Sequence, residues 1–423
     1  MNIYQNWGFQ SNPFEVKEIS GTEDSINLLV GRETELQQIK RRLFNPPKCI
    51  TIEGQNGVGK TSIINVACYE LSKENSTTSQ IILPCINKFQ LSNEDSLEDF
   101  VDYAYFCIAQ TFIHYKTLLK NSGVAIQHIQ EIDDYLNTYS LRTISAGIMG
   151  FSAGESIEIN QGEAFKRSGF RKIIDEWLNL LEESSIPCFL ICIIDNIELL
   201  RTSEHARRVF EELRDIILIK SGIRWILSGS SGIVLGVASS PRLSGILFNP
   251  IKVEGIESEF SEAILTTRIE KFKAIDKPFL PITLEGFKKL LSILNGNIRH
   301  LLDYADEYCM WLVDNQIEPN TDEKKETELQ NWLDFYSNQL LDLLEETIQL
   351  KGIDFFKSAS ALNRPFSYSD HELLGFDNSS AMSKYVGQLE SINLIQSFRK
   401  VDSKRIQLAV TPKGLILNNQ KFQ

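Results

Sequence analysis

Lys48-Cys-Ile-Thr-Ile-Glu-Gly-Gln-Asn-Gly-Val-Gly-Lys-Thr-Ser62 is the run on which the fold turns. An apolar strand, Lys48 to Glu53, enters a glycine-rich loop, and an apolar helix follows from about Thr61 to Leu71. Gly54-Gln55-Asn56-Gly57-Val58-Gly59-Lys60-Thr61 fits GxxxxGK[ST] in full. The glycines let the backbone wrap closely enough for its N–H groups to face phosphate, Lys60 reaches the β/γ oxygens, the Thr61 hydroxyl meets magnesium, and Ser62 ends the nucleotide-binding run. Nucleotide binding, with ATP and Mg2+ as cofactors, is the expectation.

Outward from this loop, strand and helix signals alternate. Ile81 to Ile86, Phe189 to Ile194 and Arg224 to Ser228 read as further strands, which predicts an α/β fold with a parallel sheet. Phe-Leu-Ile-Cys-Ile-Ile-Asp195-Asn196 ends one of them on a carboxylate that can hold the metal through water. The next position carries Asn196, which accepts no proton, and Glu198 stands two residues on. Asp195-Asn196 also reads as a plain strand-ending turn. After Val253 helical spacing takes over, with Ser261 to Phe272, Leu284 to Leu294, Ile298 to Val313 and roughly Glu326 to Leu350. The last seventy residues promise short helices and a β-hairpin.

Bulk properties narrow the class. A chain of 423 residues divides naturally into two or three domains. No apolar run approaches the ~20 residues of a bilayer span, and the first residues lack a secretory pattern, so a cytoplasmic protein without a membrane partner is expected. Seven cysteines without CxxC spacing read as reduced core residues. A net charge of −13 argues against a chain coated in nucleic acid. Residues 349–423 nevertheless carry ten Lys/Arg against six Asp/Glu, so any such contact belongs there.

Val30-Gly31-Arg32-Glu33-x-x-Leu36 ahead of the loop resembles the GRExEL box of AAA+ and STAND ATPases of the origin-recognition-like group. In that group the segment lies beside adenine, which implies a base pocket from Val30, Gly31 and Arg32. Ile226 to Ser230 is similar to its sensor-1 strand, with Ser228 or Ser230 toward the γ-phosphate. Gly296-Asn-Ile-Arg299 is similar to the sensor-2 GxxR. Arg242, in Pro-Arg-Leu, stands where AAA+ proteins carry a finger for the neighbouring subunit, although a plain surface arginine fits it equally.

The C-terminal segment resembles a winged helix-turn-helix. Phe366 to Gly375 reads as its second helix and Ser379 to Leu394 as its third, with the wing closing on Thr411-Pro412-Lys413-Gly414. The resemblance would turn Ser380, Ser383, Lys384 and Gln388 toward a DNA groove or partner, with Arg399, Lys400, Lys404 and Arg405 at the wing tip.

The implied division is an N-terminal strap (1–29), a P-loop core (30–253, with an insertion at about 121–164), a helical lid (254–335) and a winged-helix domain (336–423). The expected function is an ATP-binding switch, hydrolysing through Asp195, Glu198, Arg299, Arg242 and Ser228, in a signalling or antiviral-defence assembly with an effector protein or as a homo-oligomer. Two alternatives stand beside it: an oligomeric ATPase on double-stranded DNA, and a non-hydrolysing nucleotide-bound scaffold.

Overall fold

A computed structural model describes residues 2–45, 48–76, 80–136, 167–362, 364–399 and 406–423. Most of the expected 121–164 insertion lies outside the described residues. The chain forms two compact units, Met1–Glu33 with Gly54–Ile63 and Val253–Gln423, and Thr34–Glu53 with Ile64–Lys252.

Five parallel strands run in the order β2 (Ile81–Pro84), β3 (Cys188–Ile194), β4 (Ile223–Gly229), β1 (Ile50–Gly54), β5 (Ile251–Val253). Every residue of β1 and β3 is buried. That is why these segments read as continuous apolar runs instead of alternating ones: helices cover both faces of a parallel sheet. Register is set by Ile52 opposite Ser228 and Glu53 opposite Gly229, and by Ile194 opposite Leu227. The carboxyl ends of β1, β3 and β4 therefore form one rim, where open α/β sheets place their ligands. β5 is only three residues long, and Leu247 ahead of it makes an isolated bridge to Cys49.

The first unit holds the lid helices, Ser261–Phe272, Leu284–Ile293, Ile298–Asp314 and Asp322–Thr347. The N-terminal strap is an integral part of their core. Tyr4, Phe9 and Phe14 pack with Phe287, Leu301 and Tyr308, and buried Arg268 donates to the Pro13 and Glu15 carbonyls at 2.8 and 3.3 Å. A second core gathers Phe356, Phe366, Met382, Val386, Leu389 and Leu408 around the antiparallel sheet β6 (Phe366–Ser367), β8 (Ile406–Val410), β7 (Ile395–Arg399).

One expectation in this region is overturned. Phe366 to Gly375 is not a helix: β6 is followed by a single 3-10 turn, Tyr368–Asp370, because Ser367 and Asp370 close a capping box around it. Gly375 then takes a positive φ of 81°. Thr411 to Gly414 does not merely close the wing. It opens a ten-residue helix, Pro412–Lys421, with Thr411 as N-cap and proline in the first turn. Ile416 of that helix enters the lid core and Leu417 the winged one.

Candidate functional site

β1 delivers the chain into a loop that tolerates no Cβ where it bends. One on Gly54 would lie 2.3 Å from the Val253 carbonyl oxygen, and one on Gly57 (φ +89°) would lie 2.6 Å from Asn297 Oδ1. Gly59 also has positive φ, and the helix Lys60–Lys73 starts at the next residue. Lys60 is 7% exposed, and its ammonium donates to the Gly54 and Gln55 carbonyls at 3.0 and 3.1 Å. A cation so removed from water is strongly favoured by an anion beside it. Ser62 Oγ accepts from the Ile19 N–H at 3.0 Å, which ties the strap to the first turn of this helix.

The tip of the loop is held by groups distant in sequence. Asn297 Nδ2 donates to the Asn56 carbonyl at 2.8 Å, and the Arg299 backbone N–H donates to the Gly57 carbonyl at 3.1 Å. Arg32 Nη2 donates to the Val58 carbonyl at 3.0 Å and to the Glu254 carbonyl at 2.7 Å. Arg32 is 4% exposed, and its guanidinium bridges two backbone carbonyls, a role the base-pocket expectation did not contain. Gly31 (φ +68°) lies against the Phe260 ring, and Val30 packs on the lid core. Arg299 is exposed, at the start of the lid helix.

In the second unit the sheet rim gathers the acidic groups. Asp195 is buried at the end of β3, and its Oδ1 accepts from the Asn196 N–H at 3.0 Å. Asn196 adopts left-handed φ 56° and opens the 3-10 turn Ile197–Leu200. Glu198 Oε2 accepts from the Ser230 N–H at 3.0 Å, so the acid two residues on is drawn to the end of β4. Ser228 is fully buried, and among the described residues its hydroxyl has no hydrogen-bond partner. Sequence reading missed Glu53, a buried carboxylate that accepts from the Gly232 N–H at 3.3 Å. Its signal was available, as an acid ending an apolar strand immediately before Gly54. Arg242 is 60% exposed, with one loose ion pair to Glu211 at 3.8 Å.

Each unit thus carries one half of the expected site, the loop with Arg32 and Arg299 in one, and Asp195, Glu198, Ser228 and Arg242 in the other. Oxygen donors such as Thr61 and Asp195 suit Mg2+, which keeps most of its shell from waters and phosphate. Among the described residues no cluster of three or more His, Cys, Asp or Glu could hold a metal alone, and no helix is long and apolar enough to cross a membrane. A glycine loop after β1, an acid after β3 and the order β2-β3-β4-β1-β5 settle the architecture. The core is a P-loop NTPase fold.

On the winged segment, Ser380, Ser383 and Lys384 are exposed along the helix Ser379–Ser391. Gln388 is half-buried and donates to the Thr347 carbonyl at 3.3 Å. Lys400, Lys404, Arg405 and the Arg399 side chain lie outside the described residues.

No family model and no curated protein matches the chain. Among solved structures it is similar to the Aeropyrum pernix ORC1 protein in complex with DNA, at 13% identity with 98% of each chain covered and a TM-score of 0.46. It is also similar to the Aeropyrum pernix ORC2 protein in ADPNP-ADP complexes (11%, 98% of each chain, 0.47) and to Cdc6p from Pyrobaculum aerophilum (13%, 98% of this chain and all of that one, 0.41). With TM-scores below 0.5, none of them assigns an activity here.

Proposed function

We propose that this chain is an ATP-binding, ATP-hydrolysing switch of the AAA+/STAND type, acting through partner proteins in a signalling or defence assembly. The observation that supports it most is the complete loop Gly54–Thr61 at the carboxyl end of a buried strand, with Lys60 withdrawn from water at its base. Lys60 and the loop N–H groups take the phosphates. Thr61 and Asp195 are the residues that would hold Mg2+, and the ion would supply charge neutralisation on the transferred phosphoryl group. Glu198 orients water, Ser228 meets the γ-phosphate, and Arg299 answers its presence from the lid. Arg242, exposed and loosely paired, serves a neighbouring copy.

The test is Lys60→Ala. Losing the ammonium should weaken fluorescent-ATP binding by roughly 10- to 100-fold, as for charged hydrogen bonds, with circular dichroism unchanged. Equal affinity in the variant would sink the assignment. If wild type binds ATP yet turns none over with any partner, the nucleotide is structural and the chain a scaffold.

A DNA-associated oligomer is the second reading. It is favoured by the basic excess of residues 349–423 on an otherwise acidic chain and by the exposed polar face of the helix Ser379–Ser391.

A further inference from the structure

Three consecutive carbonyls at the loop tip, those of Asn56, Gly57 and Val58, accept hydrogen bonds from outside the loop, from Asn297 Nδ2, the Arg299 N–H and Arg32 Nη2. In a trans peptide the C=O of one residue and the N–H of the next point in opposite directions. Pinning those three carbonyls therefore fixes the N–H groups of Gly57, Val58 and Gly59 away from the pinning groups. Successive N–H groups fixed in this way form an anion-binding concavity.

We infer that Arg32 and Asn297 are positioning residues for phosphate: they hold the peptide planes of the loop tip so that its N–H groups are presented before nucleotide arrives. Through Asn297 this presentation is tied to the lid helix Ile298–Asp314. The inference rests on the nucleotide-binding reading of the same loop and adds residues that act through the loop backbone.

Asn297 is suited to coupling because its two amide atoms do different work. Oδ1 caps the lid helix by accepting from the His300 N–H at 3.2 Å, while Nδ2 holds the Asn56 carbonyl. The residue is 4% exposed, and Gly296 before it (φ +71°) is pressed against the Ile256 backbone, so the amide has little freedom to leave. Arg32 joins the loop to the chain after β5 with one guanidinium across the Val58 and Glu254 carbonyls, a span suited to a planar fork. Linkage then makes the effect reciprocal: if the docked lid helix improves the phosphate cradle, phosphate in the cradle tightens the docking of that helix.

Two substitutions separate this from a general structural role. Asn297→Ser keeps a good N-cap but cannot reach the Asn56 carbonyl. Arg32→Lys keeps the charge that attracts phosphate but loses the fork. Each should weaken ATP and ADP binding by roughly 3- to 10-fold, the worth of one ordinary hydrogen bond, while the ligand-free melting temperature stays near that of wild type. In wild type, ATP should slow amide hydrogen exchange in the first turn of the lid helix, and in Asn297→Ser that slowing should be lost. Unchanged affinity in both variants, or ATP-induced slowing that survives Asn297→Ser, would overturn the inference and leave nucleotide binding intact. A wild type that binds no ATP removes the function proposed above, and this inference with it. Should Asn297→Ser fail to fold, Arg32→Lys decides on affinity alone.

Discussion

Asn196 and Glu198 show what one position can do to chemistry. With an amide following Asp195, the proton acceptor has to come from elsewhere, and Glu198 reaches the rim of β4 through the Ser230 N–H. A glutamine there still accepts that hydrogen bond but no longer a proton. Glu198→Gln is therefore expected to leave ATP binding and melting temperature nearly unchanged and to slow turnover by roughly 10²- to 10⁴-fold, the contribution of a positioned base. Single-turnover measurement with ATP checks it; full turnover would move attention to Glu53, a buried acid of that rim. At this scale the loop itself was legible because its meaning is local, eight contiguous residues after a strand. The partners of Arg32 were not, since Val58 and Glu254 lie 26 and 222 positions away. Asn297 was passed over for the same reason: its amide bonds a carbonyl 241 residues distant, while the neighbouring Arg299 matched a pattern.

The lid helix Ile298–Asp314 ties local protonation to the state of an element. Burial holds the His300 imidazole below its ordinary pKa of 6.5, Asp303 works against that shift, and Arg299 adds to it. A histidine depressed in the folded state contributes stability that is full above its unfolded pKa and is lost as pH falls below about 6.5. Lowering pH from 7.5 to 6.0 should thus reduce the melting temperature, and His300→Gln should reduce that difference; an identical pH slope in the variant would remove His300 as its source. Elements of this kind were legible where periodicity is strong. The helix Ser261–Phe272 has the bounds its pattern predicts. Phe366 to Gly375 misled because its apolar residues do not make a helical stripe: Leu373 is 63% exposed while Leu374 and Phe376 are buried. The helix Pro412–Lys421 was hidden behind a hairpin, although Thr411-Pro412 is a start signal that needs no distant partner.

Over the whole molecule the charge is uneven, with residues 349–423 carrying ten Lys/Arg against six Asp/Glu on a chain of −13. That unevenness makes the choice between protein and DNA partners measurable. Lys404 and Arg405 stand in the sequence between β7 and β8, which pair as an antiparallel hairpin from Ile395 opposite Val410 to Arg399 opposite Ile406. If they grip phosphate, Lys404→Glu with Arg405→Glu should weaken binding to duplexes of every sequence alike, and should reduce the dependence of log affinity on log salt by about one unit for each phosphate no longer neutralised. Ser380→Ala with Ser383→Ala should instead alter preference among sequences, because base contacts specify where phosphate contacts only position. The protein-platform reading expects no measurable duplex binding by wild type at ~100 mM salt, where real phosphate contacts still register. Its own signature is a partner that co-purifies with wild type and disappears on the charge reversal. Duplex binding by wild type with an unchanged salt slope in the reversed variant would take the wing out of the interface and leave the helix Ser379–Ser391 as the surface to dissect.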